Sequence, residues 1–82
     1  MNLDGEQVFV NERVVASPAA GTFMPLDRAL EQVDIGDVVG HIRTNDSLVE
    51  VRAAFRGLVV EVVASAGQRL QTHERIAWMR VA

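Results

Sequence analysis

Short apolar segments separated by turn-forming residues constrain this chain more than any other feature of its sequence. Runs rich in Val, Ile, Leu and Phe are interrupted by Gly, Pro, Asn, Asp or Ser about every 8–12 residues. No segment sustains the 3.6-residue period of a stable helix, and residues 27–32, which have mild helical character, are too few to form one. The pattern therefore predicts an all-β protein, with residues 38–42, 48–52, 58–63 and 76–81 as its clearest strands.

The sequence also contains a weak internal repeat. P18-A19-A20 leads into Gly21 and an apolar strand, and A54-F55-R56 leads into Gly57 and another strand, 36 positions later. A polar turn containing Gly36 or Gly67 follows in each half, and then a further apolar strand. Two halves of this size predict two small sheets, related by a pseudo-twofold axis and packed face to face. We expect these four glycines to form turns and Val60 to lie in the core.

In this pattern the chain resembles the biotinyl/lipoyl carrier domain family, of the biotin carboxyl carrier protein type. The resemblance covers residues 13–82 and leaves 1–12 as a loose or accessory segment. It implies a barrel-sandwich hybrid, in which two quasi-symmetric halves of about four short strands each are joined by a central hairpin. The second half matches the family pattern well. In the first half, residues 31–33 replace a glycine turn, one residue is missing, and Gly40 interrupts an apolar strand.

The central hairpin lies within R43-TNDSLVE-V51, where carrier domains keep the lysine that bears their prosthetic group. The register of the resemblance places Asp46 at the lysine position and Asn45 and Ser47 at its two flanking positions. All eight basic residues of the chain are Arg, so no ε-amine is available for an amide to biotin or lipoate. We therefore expect a degenerate member of the family, with no cofactor. Residues 44–47 serve either as a simple turn, which Asn and Asp favour, or as a recognition tip.

Three further sets of residues invite a functional interpretation. Phe55 and Arg56, adjacent in a predicted turn, form a candidate contact patch for a partner. Trp78 could anchor a partner, but we expect it to pack between the two sheets. His41 and His73 lie in different halves without a third nitrogen or sulfur ligand, so no metal site is expected.

Composition limits the classes of function. The net charge is −3 and the arginines are scattered, which disfavours nucleic acid as a partner. No apolar run reaches the length that spans a bilayer, and the acidic start of the chain lacks the features of a signal peptide, so we expect a cytoplasmic protein without membrane association. Neither a nucleophile elbow nor a phosphate-binding glycine loop is present, and we expect no catalytic activity.

These observations favour a protein–protein interaction, scaffold or decoy module. The family resemblance implies acyl-CoA carboxylase components, 2-oxoacid dehydrogenase components or the ligases that modify carrier domains as partners. The alternative is a structural or adaptor domain, of the kind found in export-pump adaptors, or another use of the fold unrelated to carrier chemistry. Exposed edge strands are compatible with either a monomer or a homodimer.

Overall fold

The computed structural model describes residues 11–81, which form eight strands. The strands are β1 (Glu12–Ala16), β2 (Gly21–Pro25), β3 (Gln32–Val33), β4 (Val38–Arg43), β5 (Leu48–Arg52), β6 (Gly57–Val62), β7 (Arg69–Leu70) and β8 (Arg75–Val81). The predicted accessory segment 1–12 lies outside the described residues except for its last two positions, and Ala82 lies outside them as well.

The eight strands form two four-stranded antiparallel sheets. The first sheet has the order β1-β8-β6-β3, and the second has the order β5-β4-β2-β7. Exchanging β1–β4 with β5–β8 converts one order into the other, so each sheet takes two strands from each half of the chain. The prediction of an all-β barrel-sandwich architecture with two similar halves is confirmed.

Two of these strands were not predicted individually from the sequence. Gln32 and Val33 pair with Leu58 and Gly57, and Leu70 pairs with Gly21 in the corresponding place of the second sheet. Each strand is only two residues long, and two residues carry no recognisable period. Both strands nevertheless contribute a buried side chain, Val33 or Leu70, to the core.

The core lies between the two sheets and is almost entirely aliphatic. Inward positions alternate with outward positions along the strands, as the pleat requires. The exceptions are register shifts in β4 and β8, where Val39 with Gly40 and Ile76 with Ala77 are buried as consecutive pairs. Val59 is 1% exposed, whereas its neighbour Val60 is only half-buried. The prediction of Val60 as a core residue was therefore wrong by one position, which in a strand means the opposite face. The fully or nearly buried core side chains are Val15, Phe23, Val33, Val39, Ile42, Val51, Ala53, Val59, Ala64, Leu70, Ile76, Ala77 and Met79.

Gly21 and Gly57 are needed for space, not for the turns that the sequence suggested. Each is the first residue of a strand, β2 or β6. A Cβ on Gly21 would lie 2.3 Å from the carbonyl oxygen of Arg43, and a Cβ on Gly57 would lie 2.3 Å from that of Arg80. No side chain fits at such a distance, so both positions require glycine because a neighbouring backbone passes directly over them.

Gly67 occupies a turn whose counterpart in the first half contains Leu30. Gly67 has φ +82° and donates from its amide to the carbonyl of Phe23 at 2.8 Å. Leu30 has φ +66° and donates in the same way to Val59, the counterpart of Phe23, at 2.7 Å. The first half thus forms the same turn without glycine, and holds a leucine in the left-handed conformation that glycine normally adopts.

Gly36 occupies the other type of turn, and its counterpart is His73. Gly36 has φ +90° and donates to the carbonyl of Ala53, while His73 has φ +73° and donates to that of Ser17, both at 2.8 Å. The pairing of Gly36 with Gly67 in the internal repeat was therefore wrong, whereas the family register, in which residues 31–33 replace a glycine turn, agrees with the hydrogen bonds. Each half contains both of these left-handed turns, with glycine in a different one, and Asp27, with φ +58°, is a further left-handed residue of the first half.

Gly40 is explained by the phenyl ring of Phe23. A Cβ on Gly40 would lie 2.8 Å from Cε1 of Phe23, so the ring occupies the space that a side chain would need. In the second half the corresponding residues are Val59 and Ala77, both buried. The first half combines a large side chain at Phe23 with no side chain at Gly40, and the second half combines two side chains of intermediate size. The two pairs therefore fill comparable volumes of the core.

Replacing Leu30 with glycine is expected to stabilise the protein by about 0.5–1 kcal/mol. The substitution removes left-handed strain of about 1–2 kcal/mol at the cost of some chain entropy. Little packing is lost, because Leu30 is 74% exposed. Gly67→Ala should destabilise by about 1 kcal/mol, and Ala29→Gly, next to Leu30 but without positive φ, should also destabilise. Urea denaturation of the three variants tests this; destabilisation by Leu30→Gly would contradict it.

Gly40→Ala is expected to cost about 1–3 kcal/mol in the wild-type chain, because the new methyl group overlaps the ring of Phe23. In a Phe23→Val background the same substitution should cost less than about 1 kcal/mol or stabilise the fold, since it then reproduces the composition of the second half. A double-mutant cycle in denaturant measures the coupling. An additive cost would show that the two positions do not share the space.

Candidate functional site

The candidate site predicted from the sequence is the hairpin tip (residues 44–47), which joins β4 to β5 at the centre of the chain. Arg43 pairs with Leu48 at the base of this tip. The amide of Thr44 donates to the carbonyl of Ser47 at 2.9 Å, and the amide of Ser47 donates to Oγ1 of Thr44 at 3.1 Å. Thr44 and Ser47 thus use their backbone and hydroxyl groups mainly to close the loop.

Asn45, Asp46 and Ser47 are exposed to solvent, and of these Asn45 and Asp46 take no part in the hydrogen bonds that close the loop. Both side chains are exposed, and Asp46 has one long contact within the tip, where its Oδ1 lies 3.5 Å from Oγ1 of Thr44. An exposed amide and an exposed carboxylate can accept hydrogen bonds from a partner, and the amide can also donate. Neither group can form the amide bond that attaches biotin or lipoate to a lysine. The chemistry of the tip is therefore that of recognition or of a simple turn.

Phe55 and Arg56 lie in the segment between β5 and β6, and each has a partner within the described chain. Phe55 is 36% exposed, and the guanidinium carbon of Arg13 lies 5.7 Å from the centre of its ring. Nε of Arg56 lies 2.7 Å from Oδ1 of Asp34, with both side chains largely exposed. The predicted contact patch is thus accessible in part and already held by two polar interactions of its own.

The structure does not bring the hairpin tip and the Phe55–Arg56 patch together. They lie at opposite ends of β5, a strand of five residues. At about 3.3 Å per residue this strand separates them by roughly 17 Å. A partner that contacts both would therefore have to cover the whole length of the second sheet, so we treat them as separate candidate sites.

The sequence led us to expect that Trp78 packs between the two sheets, and this prediction was wrong. The residue lies in β8 between Ala77 and Met79, both of which are buried in the core, and strand alternation therefore turns Trp78 to the outer face. There it pairs with Val14, and the guanidinium carbon of Arg75 lies 5.7 Å from the centre of its ring. The sequence did contain a signal for this position: if Ala77 and Met79 face the core, the alternation of a strand places Trp78 on the outer face.

The two histidines occupy unrelated places. His41 lies within β4 opposite Met24 and Glu50, whereas His73 forms a left-handed turn before β8. Among residues 11–81 no group of three or more His, Asp or Glu side chains is arranged to hold a metal ion. In the same part of the chain, no helix has the length and apolar character needed to cross a bilayer.

No family model and no curated protein matches this sequence. Solved structures do match. A single-chain, multi-domain long-chain acyl-CoA carboxylase superposes on 93% of this chain with a TM-score of 0.82 at 14% identity. The urea carboxylase of Kluyveromyces lactis superposes on 94% with a TM-score of 0.78 at 20% identity. An aspartoacylase family protein from Mesorhizobium loti covers 84% with a TM-score of 0.66 at 25% identity.

In each case the chain spans only a small part of the matched protein. It covers 8% of the acyl-CoA carboxylase, 7% of the urea carboxylase and 23% of the aspartoacylase family protein. The similarity therefore concerns one domain within much larger polypeptides of different kinds. At these identities it shows that residues 11–81 adopt the same all-β fold as that domain.

Proposed function

We propose that this chain is a non-catalytic interaction module with the architecture of a carrier domain, and that it docks on carboxylase-type assemblies without carrying a prosthetic group. The observation behind the proposal is the combination of a TM-score of 0.82 to part of an acyl-CoA carboxylase with a central hairpin tip that has no lysine. The fold supports docking in the place of a carrier. The absence of lysine from the sequence leaves no ε-amine for an amide bond to biotin or lipoate, which supports a role without cargo.

The hairpin tip supports recognition over modification. The exposed side chains of Asn45 and Asp46 present hydrogen-bonding groups, and the family resemblance assigns Asp46 to the position of the modified lysine and Asn45 to a flanking position. The closed loop beneath them holds the tip in one geometry through the hydrogen bonds between Thr44 and Ser47. A preorganised polar tip costs a partner little ordering entropy on binding. In this proposal the module occupies a docking site as a scaffold or decoy.

The position of Asp46 can be tested by restoring the missing chemistry. Co-expression of the Asn45→Met, Asp46→Lys, Ser47→Met variant with a biotin ligase is expected to add one biotin per chain, as measured by intact mass. The matched control is Glu50→Lys, which places a lysine three residues beyond the tip, on β5, and should remain unmodified. If the triple variant has the circular dichroism and melting behaviour of the wild type yet gains no mass, Asp46 is not at the attachment position.

Docking itself can be tested with the purified chain. Immobilised wild-type protein is expected to retain carboxylase subunits from an extract of its native host, identified by mass spectrometry. An Asn45→Gly, Asp46→Gly variant should retain severalfold less, because the two side chains are the groups that the tip offers to a partner. Failure of purified carboxylase, dehydrogenase and carrier-ligase subunits to bind the wild-type chain would refute the proposal.

A second candidate is a structural domain unrelated to carrier chemistry. The same fold occurs within aspartoacylase family proteins and within the ectoine utilization protein EutE of Ruegeria pomeroyi, which superposes on 84% of this chain with a TM-score of 0.67. In such a role the hairpin tip would be a simple turn, and the glycine variant of the tip would behave as the wild type in every binding assay. The paired tip experiment therefore separates the two candidates.

A further inference from the structure

We propose that the outer face of the second sheet contains a binding site for a doubly charged oxyanion, formed by Arg43, Thr22 and Arg69. Thr22 in β2 pairs with Arg43 in β4 on one side and with Arg69 in β7 on the other. Directly paired residues of neighbouring strands extend their side chains to the same face. The three residues thus form a row across three strands, with the hydroxyl between two guanidinium groups.

The spacing of this row suits a single anion. Two strand separations place the Cα atoms of Arg43 and Arg69 about 10 Å apart. A long arginine side chain from each flank can therefore converge above Thr22. Guanidinium groups present donors in a planar fork that matches the oxygens of phosphate and carboxylate, and a threonine hydroxyl can donate a further hydrogen bond.

Among the described residues, Arg43 and Arg69 are the arginines that have neither a carboxylate nor an aromatic ring as partner. Within residues 11–81, Arg28, Arg52, Arg56 and Arg80 form ion pairs with carboxylates, and Arg13 and Arg75 lie over aromatic rings. Arg43 makes only a 3.6 Å contact with Sδ of Met24 in that range, and Arg69 has no side-chain hydrogen bond there. In a chain with a net charge of −3, two neighbouring cations without carboxylate partners form a local positive centre.

The surface around the row is concave. Thr22, Arg43 and Arg69 line an open depression of about 410 Å³, bordered on one side by Thr44, Asn45 and Asp46 of the hairpin tip. A volume of this size holds a small molecule. The carboxylate of Asp46 opposes an anion, but two guanidinium groups leave a net positive charge in the depression.

The pseudo-twofold provides an internal comparison. The corresponding row on the first sheet consists of Arg80, Leu58 and Gln32. There Arg80 lies 3.3 Å from a carboxylate oxygen of Glu12, the central hydroxyl is replaced by an alkyl chain, and the second cation is absent. The fold therefore does not require a positively charged row at this place, since the equivalent row of the first sheet contains a single arginine whose charge is paired with a carboxylate.

The test is a titration of the 15N-labelled protein in which the amide chemical shifts are measured at each step. One titration uses inorganic pyrophosphate and the other uses succinate. Low ionic strength is needed because exposed charges are screened within about 10 Å at 0.1 M salt. We expect saturable shifts centred on Thr22, Arg43 and Arg69. Preference for pyrophosphate would identify phosphoryl ligands, and preference for succinate would identify dicarboxylates.

Variants decide whether the row is responsible. Arg43→Gln and Arg69→Gln should each weaken binding about tenfold, the loss of one charge-assisted interaction. Arg80→Gln is the matched control and should change affinity less than twofold. Asp46→Asn should tighten binding by removing the opposing charge. Shifts that do not saturate, or an affinity that Arg43→Gln and Arg69→Gln leave unchanged, would overturn the proposal.

Discussion

Backbone passing over backbone at Gly21 and Gly57 is the constraint on which the architecture depends. At each position a strand begins directly beneath the carbonyl group of an arginine that lies near the end of another strand, with no room for a Cβ. These two close approaches occur at equivalent places of the pseudo-twofold and set the start of β2 and β6. From those starting points follow the alternation that buries Phe23 and Val59 and the positions of the two short strands that pair beside them.

Much of this fold could be predicted from the sequence because strand periodicity and glycine spacing are local signals. The longer strands, the central hairpin and the presence of two similar halves were correct. The strands at Gln32 and Arg69 were missed because two residues contain no period. The matching of turns failed for a different reason. Leu30 and His73 adopt backbone conformations typical of glycine, so a search for glycines pairs Gly36 with the wrong turn.

The candidate sites were predictable to different degrees. The hairpin tip could be located because its polar residues lie between two apolar strands that are adjacent in sequence. The charged row could not, because Thr22, Arg43 and Arg69 are distant in the chain and only strand pairing brings them side by side. Trp78 was misplaced because its size suggested a core residue, while its position between two buried neighbours on one strand assigned it to the outer face.

The contact between Phe23 and Gly40 has a consequence for how the two halves of the molecule could change over time. Phe23 with its large side chain and Gly40 with none belong to the same half, and so do their counterparts of intermediate size, Val59 and Ala77. Each half therefore resolves its own steric problem at this layer. An exchange of whole halves at the central hairpin would preserve both solutions, whereas a crossover between positions 23 and 40 would combine a ring with a methyl group. For this part of the core, a whole half of the chain can be exchanged without loss of packing, whereas a single residue cannot.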